Sequence, residues 1–369
     1  MSTTRRKKPV RRAKKPVARA TKPVRRAPKP AAAQMPAAPG ALMLILGYWI
    51  SQLVYVAAQL GLADVLAKGP RTGEALAEQV GVDPAALSRV LRALASVGVF
   101  EADARGRYRM TPLADTLRSD HPESLRDFAR MMVADYNWLS WGDLLQSVRD
   151  GKPAFDRVHG MPFFEFLGRH PEKERVFAAS MASISGAENP AIARAYPFGR
   201  LRRLVDVGGA HGHLLATILR RHAKLRGVLY DQPQVVAGAA ERGFVGAPEV
   251  RDRIEVIGGD FFASVPTGAD GYLMKYILHD WDDERCVAIL RRCREAMAPG
   301  GRVLAVDHVI PPGNAFDRGK LMDLNMFVLL RGRERTKAEF ADLFGEAGLK
   351  LRRVIPTEAI VQVLEAERA

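Results

Sequence analysis

The sequence has few cysteines. Only Cys286 and Cys293 occur in 369 residues, and no metal-ligand pattern surrounds them. Their spacing of seven residues places both thiols on one face of a helix, which predicts two small buried thiols in a reducing cytosol. The remaining His and Asp residues form no cluster tight enough to predict a metal ion.

Long apolar runs are also absent. No run reaches the roughly 18–20 residues that cross a bilayer. The most apolar early segment, residues 41–60, is interrupted by Gly47, Tyr48, Ser51 and Gln52. Because a long basic stretch precedes this segment, it does not resemble a signal peptide. We therefore expect a cytoplasmic protein with no membrane span.

Acidic residues are missing from residues 1–40, which contain 13 Lys and Arg. Since the net charge of the chain is +15, subtracting 13 leaves about +2 for the other 329 residues. The basic segment is rich in Pro and Ala and predicts a disordered tail. Such a tail is either a solvated extension or a loose, salt-dependent contact with an anionic polymer or membrane surface.

Residues 41–115 predict a small helical domain. Three amphipathic helical stretches precede two short extended segments, 97–100 and 107–110, that flank a polar turn. This order is typical of a winged helix. As a DNA-binding domain it would place the helix around residues 85–95 in a groove. That helix carries only Arg89 and Arg92 as base-reading cations, so a packing role is equally compatible with the sequence.

Residues 116–199 predict a mostly helical region that is rich in aromatic residues. These side chains belong either to a core or to a pocket for a flat apolar ligand, and the sequence does not distinguish the two.

Residues 200–369 alternate strands with helical stretches of 10–15 residues, which predicts a parallel sheet with helices on both faces. Gly208, Asp231, Asp260, His279 and Asp307 each stand at the carboxyl end of a predicted strand or just after it. Ligands of such sheets bind at these ends, so the sequence predicts one site there. The two final apolar runs, residues 349–355 and 359–364, predict a hairpin at the sheet edge.

The turn Asp206–Gly212 is glycine-rich but lacks the GxGxxG pattern of a pyrophosphate site. Glycine permits a sharp turn and close approach of a ligand. Asp231 is placed to accept ribose hydroxyls, and Asp260 with Phe261 suits an adenine amine and ring. The alternative is a tight turn with capping aspartates.

Six motifs extend this pattern in order: DVGGAHG, YDQP, GGDFF, LMKYILHDWDD, PGGRVLAVDHVIP and GRERTKAEF. Together they resemble the plant-type S-adenosylmethionine (SAM)-dependent O-methyltransferases and their bacterial relatives, over roughly residues 42–366. The resemblance implies an α/β Rossmann-like methyltransferase domain that follows a winged-helix-like dimerisation domain along the chain. It therefore also implies a homodimer. Residues 1–40 lie outside it.

The resemblance also implies roles for individual residues. SAM would be held without a metal by Asp206, Gly208, Gly212, Asp231, Asp260, Phe261 and Lys275. His279 would be the general base, with Asp307 and Glu334 flanking and orienting its imidazole. In one departure, Ala210 stands where many family members have a third glycine.

The chemistry needs such a base. A phenol, with a pKa near ~10, is a poor nucleophile until its proton is removed. Histidine, near ~6.5, is largely neutral at cytosolic pH and accepts that proton. A neighbouring carboxylate stabilises the imidazolium and fixes its tautomer.

The acceptor is expected to be a small molecule with a hydroxyl group. By resemblance, the residues that face it are Tyr136, Asn137, Trp138, Phe177, Met181, Asn325 and Met326. These describe an apolar cavity that fits a phenol, a quinone, a polyketide or a carotenoid alcohol equally, and core packing remains open for each residue.

Two other functions remain open from the sequence. A family member of this fold can use SAM in hydroxylation or decarboxylation instead of methyl transfer, although the complete set of His279, Asp307 and Glu334 argues against this. The second is a winged-helix DNA-binding protein with a basic tail. The near-zero net charge of the residues after the first 40 argues against it.

The assignment of His279 predicts that His279→Ala lowers turnover by about 10²–10⁴-fold, because general-base catalysis is lost. SAM binding should be retained in the same variant. Steady-state kinetics together with a SAM titration measure both quantities, and an unchanged rate would contradict the assignment.

Overall fold

The computed structural model describes residues 37–239 and 244–369. The chain divides into two units, residues 1–47 and residues 48–369. Most of the predicted tail lies outside the described residues, and its last four residues begin the first helix. The two alternatives for the tail therefore stay predictions.

The first part of the described chain forms short helices and a small antiparallel sheet of order β1-β3-β2. Its elements are α1 (Ala37–Gln59), α2 (Leu62–Leu66), β1 (Arg71–Thr72), α3 (Gly73–Val80), α4 (Pro84–Ser96), β2 (Phe100–Ala102), β3 (Arg107–Met110) and α5 (Pro112–Asp115). Thr72 and Asp83 cap α3 and α4 by accepting backbone N–H bonds, as Ser, Thr, Asp and Asn do at helix starts.

Helix α1 is the longest apolar helix of this part. By length and composition alone it meets the requirement for crossing a membrane, and it is the one helix among the described residues that does so. The interrupting residues Gly47, Ser51 and Gln52 lie inside it. One helix of this kind is weak evidence for a span, because core helices meet the same requirement, and the expectation of no membrane span is not contradicted.

The middle of the chain is helical, as predicted. It contains α6 (Arg126–Met132), α7 (Asp135–Gly142), α8 (Leu144–Asp150), α9 (Ala154–His159), α10 (Phe163–Arg169) and α11 (Pro171–Ala195), followed by a 3-10 turn at Phe198–Arg200.

The remainder forms a seven-stranded sheet of order β11-β12-β8-β7-β4-β5-β6. Its strands are β4 (Arg203–Val207), β5 (Arg226–Asp231), β6 (Ile254–Gly258), β7 (Gly271–Lys275), β8 (Arg302–Asp307), β11 (Leu349–Pro356) and β12 (Gln362–Arg368); β9 (Val309–Ile310) and β10 (Arg335–Thr336) pair separately. The helices are α12 (His213–Arg221), α13 (Pro233–Val236), α14 (Asp283–Ala296), α15 (Arg318–Leu329) and α16 (Lys337–Glu346), with 3-10 turns at Arg251–Arg253 and Leu278–Asp280.

Strands β4 to β8 are parallel, and the predicted final hairpin is confirmed. Its second strand, β12, pairs with β8 and leaves β11 at the edge. A hydrophobic cluster covers each face of the sheet. Cys286 and Cys293 are free and fully buried in one of them, as predicted, and burial raises the pKa of both thiols to about 12.

The strand order determines which loops meet. Because β8, β7, β4 and β5 are consecutive neighbours, the segments that follow them lie side by side at one edge of the sheet. These segments carry Asp307, His279, Gly208 and Asp231, so the fold brings four of the predicted strand ends together.

Candidate active site

The turn after β4 has a backbone that requires glycine. Gly208 and Gly212 have φ values of +70° and +76°, and a Cβ on either would lie 2.3 Å from a neighbouring side-chain carbon. Ala210, which replaces the third glycine, also has a positive φ of +50°. Its N–H donates to Asp231 Oδ2 at 2.8 Å, so a hydrogen bond holds the strained residue in place.

Asp231 has one of the two roles that the sequence left open, that of capping the turn. Its carboxylate accepts the backbone N–H groups of Ala210 and Gln232, at 2.8 and 2.7 Å, and so caps the turn. A carboxylate has about four acceptor positions, which leaves capacity for ribose hydroxyls. Burial raises the pKa of Asp231, and these two hydrogen bonds oppose the rise.

Asp206 is 2% exposed, and its Oδ2 has no hydrogen-bond partner among the described residues. Burial and the nearby Asp231 raise the pKa of Asp206 to about 7. An unpaired buried carboxyl is costly, so this edge of the turn is suited to a cationic or N–H-donating ligand.

Asp260 and Phe261 follow β6. Asp260 is exposed, and its Oδ1 accepts the N–H of Phe262 at 2.9 Å. The half-buried ring of Phe261 lies edge-on to Trp281 and next to Gly208. The structure therefore places the ring of Phe261 beside the glycine turn.

Lys275 ends β7 and is buried against α11. Its Nζ lies 2.8 Å from Glu188 Oε2 and donates to Ser185 Oγ and Asn189 Oδ1, both at 3.1 Å. Burial lowers the pKa of Lys275, and Glu188 opposes that shift. The motifs did not reveal Glu188, because it precedes Lys275 by 87 residues. The one sequence feature that could have pointed to Glu188 is its position directly before Asn-Pro in a predicted helix.

His279 lies in the 3-10 turn that follows β7. Its Nδ1 is 3.0 Å from Glu334 Oε1, and its Nε2 is 3.3 Å from Asp280 Oδ1. Tyr276, which has a φ of +55°, stacks its ring on the imidazole with 5.0 Å between centroids. A left-handed backbone is uncommon for a bulky residue, and here it places an aromatic ring beside His279.

Carboxylates dominate the surroundings of His279. Burial by itself lowers the pKa of His279, but Asp280, Glu334 and Asp307 outweigh it and raise that pKa to about 10. Burial in turn raises the pKa of Asp280 to about 6 and that of Asp307 to about 8. The structure therefore stabilises an imidazolium at this position, which differs from the largely neutral histidine expected from the sequence, and His279 becomes a base as the pH approaches this raised pKa.

Asp307 and Glu334 act on His279 in different ways. Glu334 is fully buried and hydrogen-bonded to Nδ1, in agreement with an orienting role. Both carboxylate oxygens of Asp307 are buried without a hydrogen-bond partner among the described residues. Asp307 therefore makes no direct hydrogen bond to the imidazole.

Arg335 is a buried residue beside His279 to which the motifs assigned no role. Its guanidinium is fully buried and donates to the carbonyls of Leu278 and Trp281, at 2.8 and 2.9 Å, and to Asp283. The two carbonyls flank His279. Gly332 approaches from the same segment, where a Cβ would lie 1.9 Å from the carbonyl oxygen of His279. Segment 332–335 therefore fixes the turn that carries the imidazole.

The predicted acceptor-facing residues fall into separate groups. Tyr136 and Phe177 belong to an aromatic cluster with Phe155, Phe163 and Phe166. Tyr136 is 2% exposed, and its hydroxyl has no partner among the described residues.

The other five acceptor-facing residues are dispersed around this cluster. Asn325 and Met326 are buried on α15, where Asn325 Oδ1 accepts the Trp141 indole N–H at 3.0 Å. Asn137 donates to the Met131 carbonyl. Trp138 contacts Tyr48, and Met181 is half-buried on α11. Their roles toward an acceptor stay predictions.

Among the described residues, no group of three or more His, Cys, Asp or Glu side chains is arranged to hold a metal ion.

Family models match most of the chain. Residues 141–350 match the model described as an O-methyltransferase domain, and residues 42–120 match the O-methyltransferase dimerisation domain.

Individual relatives agree with these matches. The chain is 41% identical over 335 residues to phenazine O-methyltransferase of Lysobacter antibioticus, covering 91% of this chain and 97% of that protein. It is 37% identical over 328 residues to a mitomycin biosynthesis 6-O-methyltransferase of Streptomyces lavendulae, covering 88% and 93%. A solved O-methyltransferase of neocarzinostatin biosynthesis, in complex with SAM and 2-hydroxy-5-methyl naphthoic acid, has a TM-score of 0.76 at 35% identity and covers 87% and 96%.

The Arg335 contacts predict that Arg335→Lys lowers kcat by about 10–100-fold, because lysine cannot bond both carbonyls and Asp283, and bonds to charged groups contribute ~1.5–3 kcal/mol. The affinity for S-adenosylhomocysteine should change little. Steady-state kinetics and calorimetric titration measure the two effects.

The matched control is Arg291→Lys, which changes an exposed arginine of α14 that donates to the Glu346 carbonyl, away from the His279 turn. An equal loss of kcat in both variants would contradict the positioning role of Arg335.

Proposed function

The chain belongs to the SAM-dependent O-methyltransferase family, and from this premise we propose that His279 activates a hydroxyl group of a small aromatic metabolite for methyl transfer. The observation that carries the proposal is the buried hydrogen bond of 3.0 Å between His279 Nδ1 and Glu334, at the sheet edge that also carries the glycine turn. The enzyme is a methyltransferase, and the residue roles that follow are proposals.

The residues around the glycine turn fit the cofactor. When bound, SAM supplies a methyl group on a positively charged sulfur. Gly208 and Gly212 leave a concave backbone that a Cβ would fill, and Asp206 presents a buried carboxyl without a partner. Asp231 has capacity for ribose hydroxyls, and Asp260 with Phe261 offers a carboxylate and a ring to the adenine.

The contact with Glu334 defines the protonation pattern of His279. In the neutral imidazole, Nδ1–H donates to Glu334, which leaves the lone pair of Nε2 to accept the proton of the acceptor hydroxyl. Once Nε2 is protonated, Asp280 lies 3.3 Å from it. The carboxylates therefore stabilise the imidazolium that forms during attack.

We propose a planar hydroxylated aromatic compound as the acceptor. The names of two relatives refer to a phenazine and to mitomycin, and a third structure contains a hydroxynaphthoic acid. The aromatic cluster with Tyr136 and Phe177, together with Asn325, Met326 and Met181, offers apolar surface and a few polar atoms of the kind that such pockets use. Asn137 and Trp138 complete the proposed set.

We further propose a cytoplasmic homodimer. The dimerisation-domain match begins at residue 42 and includes most of α1. Tyr48 and Trp49 on α1 are 51% and 53% exposed, and exposed apolar side chains of this kind mark protein interfaces. This supports an interface role for α1 instead of a membrane span. The two free thiols are compatible with a reducing compartment.

The test of the proposed function is an assay of the purified full-length protein with SAM and a panel of hydroxylated naphthoates and phenazines. Each member is paired with its deoxy analogue as a control. We expect one S-adenosylhomocysteine per product that has gained a methyl group, measured by mass spectrometry. Hydroxylated or decarboxylated products with SAM unconsumed would contradict methyl transfer.

The charges around His279 predict a pH effect. Because Glu334 is one of the carboxylates that raise the pKa of His279, Glu334→Gln should lower that pKa. Activity requires neutral His279 and rises as pH passes its pKa, so the rising limb of kcat/KM should move to lower pH. The maximum should fall by about 10–100-fold, from the loss of a charged hydrogen bond.

The measurement is a pH profile of kcat/KM for the variant and for the matched control Glu255→Gln, an exposed residue on β6. If the rising limb of kcat/KM in Glu334→Gln lies at the same pH as in the unmodified protein, Glu334 does not control the protonation of His279.

A further inference from the structure

A second cavity lies at the end of the sheet that is opposite to the proposed active site. Arg302 begins β8, and Arg200 lies in the 3-10 turn that precedes β4, so both mark the amino ends of these parallel strands. The cavity has a volume of about 370 Å³, and we call it the arginine cavity. It is lined by Arg200, Arg302, Arg352, Arg353, Glu365 and Glu367.

An irregularity in β11 gives the cavity two of its arginines. Consecutive side chains of a regular strand point to opposite faces, but the pairing of β11 with β12 shifts between Leu351 and Arg353. Arg352 pairs with Glu367. Arg353 pairs with Glu365, which is two residues away on the same face of β12. The irregularity therefore aims two consecutive guanidinium groups toward one face of the sheet.

The positive charges of the cavity exceed the negative ones, because its lining contains four arginines and two glutamates. Arg302 contacts both carboxylates. Its Nε lies 3.2 Å from Glu365, and its Nη2 lies 3.0 Å from Glu367. Its Nη1 donates to the carbonyls of Gly300 and Gly301. The donors of Arg302 are therefore used within the protein, where they hold the two glutamates in place.

The other three guanidinium groups keep free donors. Arg352 and Arg353 approach their glutamates through Nε, which leaves the terminal nitrogens of both. Arg200 is exposed, and its side chain forms no ion pair or hydrogen bond with the described residues. Because a guanidinium group has five N–H donors, about a dozen donors remain around the cavity, more than one carboxylate accepts.

We propose that the arginine cavity binds a small anion that contains two or more phosphate groups. Guanidinium groups bind phosphate oxygens in pairs, with two parallel hydrogen bonds. A compound of this kind brings enough oxygens for three guanidinium groups and compensates the excess positive charge. This site is separate from the one proposed for methyl transfer.

The lining also indicates that the anion is small and has no large apolar part. All six lining residues are charged, whereas pockets for organic rings are mostly apolar. The ring of Tyr196 lies beneath Arg353 but is 5% exposed, so it offers no face to a nucleobase. The volume is near the lower end of the range for ligand pockets. These features favour a compound of the size of pyrophosphate over a nucleic acid.

Protection of the sheet edge explains only part of this arrangement. Strand β11 is an edge strand, and charged side chains keep such strands from pairing with other chains. That role accounts for charge on β11 itself. It does not account for Arg200, which lies outside the strand, or for the alignment of Arg352 and Arg353 toward one cavity.

Calorimetric titration of the full-length protein with pyrophosphate tests the proposal. A raised salt concentration screens loose contacts with exposed cations elsewhere on the chain. Arg200→Gln and Arg352→Gln should each weaken binding by about 10–100-fold, because each removes charge-assisted hydrogen bonds. Since Arg200 has no ion pair with the described residues, its replacement removes no such contact from the fold.

The matched control is Arg169→Gln, which also removes one exposed positive charge, on α10 beside Glu165. This variant should bind pyrophosphate as the unmodified protein does. An equal loss of affinity in Arg169→Gln and Arg200→Gln would overturn the proposal, because binding would then depend on total charge. An absence of binding by the unmodified protein would also overturn it and would leave edge protection as the role of the arginines.

Two further titrations test the chemistry of the ligand and its location. Citrate, a carboxylate anion, should bind at least about 10-fold more weakly than pyrophosphate, and equal binding would contradict the assignment to phosphate. Saturating S-adenosylhomocysteine should leave the affinity for pyrophosphate unchanged, because its proposed site lies at the opposite ends of the strands. Displacement of pyrophosphate would place it at the glycine turn and overturn the arginine cavity as its site.

Discussion

The hydrogen bond between Glu334 and His279 is the interaction on which the site depends. It joins two segments that are 55 residues apart in sequence. Further hydrogen bonds hold the turn that carries His279 and the backbone of Glu334. Arg335 bonds the carbonyls on either side of His279, and the N–H of Glu334 donates to Asp323. The imidazole is therefore oriented by a buried hydrogen-bond network, which restricts the rotation of its side chain.

The charge balance of the site suits a cationic ligand. Asp206, Asp280, Asp307, Glu188 and Glu334 line one edge of the sheet, and the buried cations near them are Lys275 and Arg335. Burial, followed by neighbouring carboxylates, raises the pKa of Asp206, Asp280 and Asp307, and the carboxylates raise that of His279. A ligand with a positive sulfur and an ammonium group relieves this repulsion when it binds. Cofactor recognition and activation of the base are thus two effects of one electrostatic arrangement.

The fold of the catalytic part was largely predictable, because its strands are continuous apolar runs that end in Gly or Asp. The position of β12 between β8 and β11 was not, since sequence order does not define strand order. Within the site, the roles of His279 and Glu334 were implied by the resemblance of the motifs to a known family and stay proposals, and the hydrogen bond between the two residues is compatible with them. Asp307 was expected to orient the imidazole, but its carboxylate forms no hydrogen bond to it. Glu188 and Arg335 were missed because their partners are distant in the chain.

The sequence alone determined the order of strands and helices, the polar residues that follow the strands, and the location of the excess positive charge in residues 1–40. These are local properties, since apolar periodicity, glycine and composition act within a few residues. Only the tertiary structure decided which carboxylate bonds His279, that Tyr276 links it to Glu188, and that Arg335 fixes its turn. Those contacts depend on the packing of α11, β7 and segment 332–335, because hydrogen bonds between buried groups form only where the fold brings their atoms within about 3 Å.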